Sequence, residues 1–187
     1  MMGLTIRQKA DRIGTFRFVS VYLMETLARW VPTTPELEAK VLFGRHLWDF
    51  AQHADGLGRR TGELRAAAHY SPRPADAYMT VLDTLAGASG TVERVAGFYD
   101  GFLPDLEARY RRYLTETDAL NDEPSVRIIE RILHDLPRLH ADRSAFAAQR
   151  PDLAAQDAAW PTRIGALSKG AGNMVIDRPL ARTAAAV

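Results

Sequence analysis

His46, Asp49 and His53 are spaced so that an α-helix would carry two imidazoles and a carboxylate on one face. Leu42, Phe50 and Leu57 share that broad face, and the stretch from Leu42 to Leu57 is the one around which the chain is organised. The spacing lets the three polar side chains converge on one point between packed helices, where they could bind a metal or move a proton. A histidine on an apolar face is also commonly a hydrogen-bonded core residue, and that reading stands beside the chemical one. Glu25 offers a second carboxylate, because it shares a stripe with Phe18 and Tyr22 and is read as inward-facing. Buried, it would need a cation, hydrogen bonds, a proton or a metal. Arg29, four residues on, could supply an ion pair, so a structural Glu25–Arg29 pair and a site role both stay open.

The elements that must position these groups are all helical. Phe16, Val19, Leu23, Leu27 and Trp30 form an apolar stripe, which predicts a helix over 5–31. Pro32 to Pro35 ends it, with Thr34 as the expected N-cap of a second helix over 35–60. The short connection makes the two antiparallel and sets Glu25 and His46 at comparable depths. A shorter helix is expected over 75–85. Thr91 should cap a fourth over 91–114, with Pro104 a candidate kink, and a last long helix covers 124–147, bent at Pro137. Its buried side is read as Val126, Ile129, Ile132, Leu133, Leu136 and His140, with Glu130, His134 and Arg138 in solvent. Glu93, Asp100 and Glu107 recur beside the apolar stripe of the fourth helix, as ligands or as its wet edge. Which of Glu93, Asp100, Glu107, Glu130, His134 and His140 reach the site stays open. Residues 1–150 are read as one all-α bundle domain and 151–187 as a C-terminal extension, loosely ordered and dispensable for folding from Gly165 to Val187.

Composition narrows the chemistry. The chain has 187 residues, 47% of them hydrophobic, enough for a substantial core. Lys plus Arg number 24 against 23 Asp plus Glu, so a net charge of +1 creates no global field for nucleic acid or an anionic membrane. With no cysteine there is no disulfide, thiolate nucleophile or iron–sulfur ligand. Phosphate-binding glycine loops, a Gly-x-Ser-x-Gly elbow and His-Glu-x-x-His are missing from the sequence too. The apolar run from Phe18 to Met24 is short and runs into Glu25, and a cytoplasmic location is expected.

The run Glu25-Thr-Leu-Ala-Arg-Trp-Val-Pro-Thr-Thr-Pro-Glu-Leu-Glu, followed by Gly44-Arg-His-Leu-Trp-Asp-Phe-Ala-Gln-His-Ala-Asp55, resembles bacterial ferritin-like domain proteins. So do Leu103-Pro-Asp-Leu-Glu-Ala-Arg-Tyr110 and Asn121-Asp-Glu-Pro-Ser-Val-Arg127, and the likeness spans about Thr15 to Asp142. It implies an antiparallel four-helix bundle around non-haem iron or manganese, with Glu25 matching the first carboxylate and His53 the first histidine. The sequence departs from that motif. Phe50 stands where a carboxylate is expected three residues before His53, with Asp49 one position off, and Leu136 and Leu139 occupy the second such pair.

Three functions follow as expectations. The first is a metal-dependent enzyme, of oxygenase or oxidoreductase type, acting on a small organic molecule. Glu25, Asp49, His53 and His46 would be the ligands of one or two ions, with Tyr22, Trp48, Phe50, Tyr99 and Asp100 around the substrate. A setting in bacterial specialised metabolism comes from the resemblance alone. The second is a metal-free enzyme using His46, His53 and Glu25 for acid–base chemistry. The third is a structural or interaction protein. A homodimer is compatible with each.

Overall fold

The computed structural model describes residues 4–153 and 158–176. Among these, six helices and no strand are present: α1 (Ile6–Thr33), α2 (Leu37–Glu63), α3 (Asp76–Ala86), α4 (91–116), α5 (Glu123–Gln149) and α6 (Ala159–Gly170). No helix among them is long and apolar enough to cross a membrane.

Helix α1 starts at a reciprocal cap. Thr5 Oγ1 accepts from the Gln8 amide at 3.2 Å, and the Thr5 amide donates to Gln8 Oε1 at 2.9 Å. The turn into α2 falls where Pro32 to Pro35 predicts it, but Thr34 does not cap α2. Its hydroxyl donates to the Trp30 carbonyl at 2.8 Å and accepts from Arg94 Nη1 at 2.8 Å, tying the end of α1 to α4, and Glu36 takes the N-cap position. The fourth helix is likewise preceded by Gly90 as its N-cap, while Thr91 Oγ1 reaches Glu36 at 2.5 Å.

Helices α1 and α2 pack along their lengths, α5 lies against α2 and α4, and the core runs between them. Phe43 and Phe50 of α2 meet Trp30 and Phe98 with ring centroids 5.4 and 5.7 Å apart. The buried face of α5 is Ser125, Ile129, Ile132, Leu136, Leu139 and Phe146. This is rotated from the sequence expectation: Val126, Leu133 and His140 are only partly buried, and the solvent-facing edge begins at Glu130 and His134, both exposed.

Helix α4 is continuous but changes pitch. It is α-helical over Thr91–Val95, π-helical over Ala96–Phe102 and α-helical again over Leu103–Glu116. The Leu103 amide donates five residues back, to the Phe98 carbonyl. Pro104 explains the widening. It lacks an N–H and its ring would crowd the carbonyl four residues earlier in a regular helix, and the wide turn just before it relieves both.

The C-terminal segment is more structured than its composition suggests. The expected loose region beginning at Gly165 instead continues helix α6, which docks on the π-helical turn. Trp160 Nε1 donates to the Glu93 carbonyl at 2.9 Å, Ile164 is fully buried, and the Met174 carbonyl accepts from the Ala75 amide at 3.0 Å. The remainder of that expectation, 177–187, lies outside the described residues. Docking requires glycine on α4: a Cβ at Gly97 would lie 2.5 Å from Trp160 Nε1, and one at Gly101 2.8 Å from the Pro161 carbonyl. Alanine ordinarily stabilises a helix interior relative to glycine, by about 1 kcal/mol. Gly101→Ala is therefore expected to reverse that sign and lower stability by about 1–3 kcal/mol, read as a drop in the urea midpoint. A neutral or stabilising result would show that α6 does not clamp the π-helical turn.

Candidate functional site

Helices α2 and α5 run antiparallel, and their facing polar residues meet as three rungs. His46 Nε2 lies 3.2 Å from Asp142 Oδ2, Asp49 Oδ1 2.6 Å from Arg138 Nη2, and His53 Nε2 3.0 Å from Asp135 Oδ2. The two helices carry the same spacing in opposite directions, His-x-x-Asp-x-x-x-His against Asp-x-x-Arg-x-x-x-Asp. Each of the three α2 side chains thus finds one partner across the seam, one turn at a time.

His46 is fully buried and engaged at both ring nitrogens. Its Nδ1 is 2.6 Å from the hydroxyl of Tyr99, which the π-helical turn of α4 delivers. Burial pushes the Tyr99 phenol well above its ordinary range, so Tyr99 keeps its proton and donates. Nδ1 is then the acceptor, and Nε2–H donates to Asp142. Asp142 also lies 3.5 Å from Arg45, so the chain of contacts runs from Tyr99 through His46 and Asp142 to a surface arginine. Burial lowers the His46 pKa, and the hydrogen bond to Asp142 only partly opposes it. The ring is neutral near neutral pH.

His53 is built the same way with one difference. Burial lowers its pKa against the opposing pull of Asp135, so the neutral ring donates from Nε2 to that carboxylate. Its Nδ1 is buried and has no hydrogen-bond partner among the described residues, and the same holds for Asp49 Oδ2 one turn away. His53 and Asp135 also line a groove of about 430 Å³ between α2 and α5, together with Gln52, Gly56, Arg131 and Ile132. Asp135 is part-exposed there, so the carboxylate stands outermost and the imidazole backs it. A carboxylate held by an imidazole N–H can accept a proton from a molecule in the groove while the ring steadies its charge.

Other sequence candidates fall elsewhere. Glu25 is exposed, contrary to its inward reading, because the buried arc of α1 passes through Leu23, Thr26 and Leu27 and leaves position 25 at its edge. The suggested ion pair with Arg29 is not formed among the described residues: Arg29 donates to Thr26 Oγ1 at 3.2 Å. Burial, aided by the hydrogen bond that Tyr22 donates to Asp83 of α3 at 2.5 Å, pushes its phenol up to about 12. Trp48 is 63% exposed and walls no interior pocket, while Phe50 is buried with its ring 5.6 Å from that of His53. Asp100 is exposed and pairs with Arg143 at 2.9 Å. Glu93 accepts from the Ser89 amide and hydroxyl, Glu107 pairs with Arg111, and His140 lies 3.9 Å from Glu107.

The donor set does not fit an iron or manganese centre. His46 and His53 are seven residues apart, about 10.5 Å along the helix axis, and each is held by a different carboxylate, so they are not gathered on one ion. This corrects the expectation that they converge on one point. Among the described residues, no group of three or more His, Asp or Glu side chains is placed to hold a metal. Asp49 Oδ2 and His53 Nδ1 are the unpartnered acceptors nearest that role, and with Glu25 exposed they lack the third protein ligand of a usual non-haem site.

A second polar knot fixes the far end of the seam. The fully buried Asp122 carboxylate accepts from Tyr113, Thr117, Ser125 and Arg60 at 2.6–3.0 Å. Burial pushes its pKa up, but the hydrogen bonds together outweigh burial and hold it below the usual carboxylate range.

No family model, no curated protein and no solved structure matches the chain, so the reading of the site rests on its own geometry.

The two histidines give stability a defined pH dependence. Their pKa values are lowered on folding from the ordinary 6.5, so the unfolded chain takes up these protons first. Their contribution is fully present above about pH 6.5 and is lost as pH falls below it, whereas that of Asp122 persists until the carboxylate range. Urea midpoints should fall between about pH 7.5 and about pH 5.5, with a shallower fall in His46→Gln and His53→Gln. A midpoint that rises on acidification would contradict the neutral-ring assignment.

Proposed function

We propose that the protein is a ferritin-like four-helix bundle that binds a small organic molecule in the α2–α5 groove and carries out metal-independent proton transfer with Asp135 and His53. The four long helices α1, α2, α4 and α5, and the sequence runs that resemble bacterial ferritin-like proteins, support the architecture. One observation carries the chemistry: of the two buried imidazole–carboxylate pairs, His53–Asp135 opens onto the groove, while His46 is sealed by Tyr99 and Asp142. His46 is accordingly assigned to positioning and Glu25 to the surface. Asp135 would accept a proton from the bound molecule, and the His53 N–H would stabilise the carboxylate before transfer and keep it oriented. Phe50, packed edge-on to His53, holds the ring in that orientation.

A structural reading has one specific observation in its favour. The His46 rung is fully satisfied and closed, as expected of a clasp that only fixes helix register. The two roles are compatible on one seam, with the clasp at one end and the chemistry at the other.

The test uses small carbon acids bound in the groove and followed by NMR in D₂O. Wild-type protein is expected to catalyse exchange of the acidic C–H of a bound compound, and Asp135→Asn to retain binding while losing at least about a hundredfold in exchange rate, the usual scale of a general base. Exchange that survives Asp135→Asn, or an absence of groove binding across the set, would overturn the proposal.

A further inference from the structure

The groove that holds Asp135 has a charge pattern of its own. Three arginines stand on it, Arg59 from α2 and Arg127 and Arg131 one turn apart on α5. Arg59 is neutralised by Asp55 and Arg127 by Glu123, both through ion pairs along their own helices. Arg131 forms no ion pair among the described residues. Ile128 and Ile132 supply an apolar side, and Gly56 keeps the opposite wall open: a Cβ there would meet only the Ile128 methyl, at 3.9 Å.

We infer that the groove takes an organic anion, a carboxylate or phosphate monoester whose charged end is held by Arg131 and whose apolar body lies along Ile128 and Ile132. The inference rests on the reading of this groove as a small-molecule site. A planar guanidinium with no ion-pair partner among the described residues presents paired N–H donors to either oxyanion. Asp135 sits four residues further along the same helix, one turn from Arg131, so an anion held by the arginine sets the carbon next to its charged group toward the Asp135 carboxylate. The neutral His53 ring donates a hydrogen bond to Asp135 but leaves its negative charge in place, so the charged end of the anion must lie at Arg131 and away from that carboxylate. The volume of about 430 Å³ is larger than a substituted benzene ring with its charged group needs, so compounds of that size enter with room to spare.

Benzoate, phenyl phosphate and the neutral isostere benzamide serve as probes, titrated into ¹⁵N-labelled wild-type protein, Arg131→Gln and Gly56→Leu. Arg131 is exposed and the Gly56 position is roomy, so both variants should fold. At least one anion is expected to bind wild type about tenfold or more tighter than benzamide, moving the amides of Gln52, Gly56 and Ile132. Whether benzoate or phenyl phosphate is favoured identifies the charged group. Arg131→Gln should erase the anion preference and leave benzamide binding, whereas Gly56→Leu should abolish all three. Equal binding of anion and amide, or an anion preference that persists in Arg131→Gln, overturns the anion assignment while the groove stands. Failure of every probe to bind wild type overturns both.

Discussion

A polar group placed between two packed helices must be paired or it costs more than a well-packed apolar residue would gain, and this constraint governs the α2–α5 seam. His46, Asp49 and His53 meet Asp142, Arg138 and Asp135 in order, and a one-residue slip of either helix would break all three rungs together. Register is therefore set by these contacts as much as by the apolar core. Each hydrogen bond to a charged partner contributes about 1.5–3 kcal/mol where buried, less for Arg138, whose side chain is 49% exposed and screened by solvent. The Asp122 knot at the other end of the seam ties α2, α4 and α5 in the same manner.

The π-helical turn of α4 connects the seam to the rest of the molecule. Pro104 widens the helix, Gly97 and Gly101 leave room on one side for α6, and Tyr99 projects on the other to complete the His46 rung. Backbone geometry, C-terminal docking and the closed state of His46 are thus one arrangement. The His53 rung has no tyrosine and faces the groove, which leaves its carboxylate available at the surface.

Most of the helical architecture is legible in the sequence because proline and glycine punctuate it and apolar stripes run between them. Helix α6 is not, since it is rich in small residues and buries itself against two glycines rather than through a strong apolar face. His46, Asp49 and His53 are legible as inward residues, whereas periodicity alone assigns Arg138 to solvent and gives Asp135 and Asp142 no role. The signal for Asp135, Arg138 and Asp142 is present: their spacing mirrors that of the α2 triplet with complementary polarity. Reading it requires knowing that α2 and α5 are antiparallel neighbours in that register, which is a tertiary fact. Glu25 is misread for the reverse reason. Apolar neighbours on α1 suggest a buried stripe, but the arc is only wide enough to bury Leu23, Thr26 and Leu27.

The central claim is that the two imidazoles are neutral members of hydrogen-bonded pairs and not metal ligands. Long-range ¹H–¹⁵N spectra of the histidine rings, recorded at about pH 7.5 with and without manganese, test it most directly. Both His46 and His53 should be neutral and protonated at Nε2, with signals unmoved by the metal. Selective loss of both ring signals at one equivalent of manganese, or a proton on Nδ1 in either ring, would contradict the account.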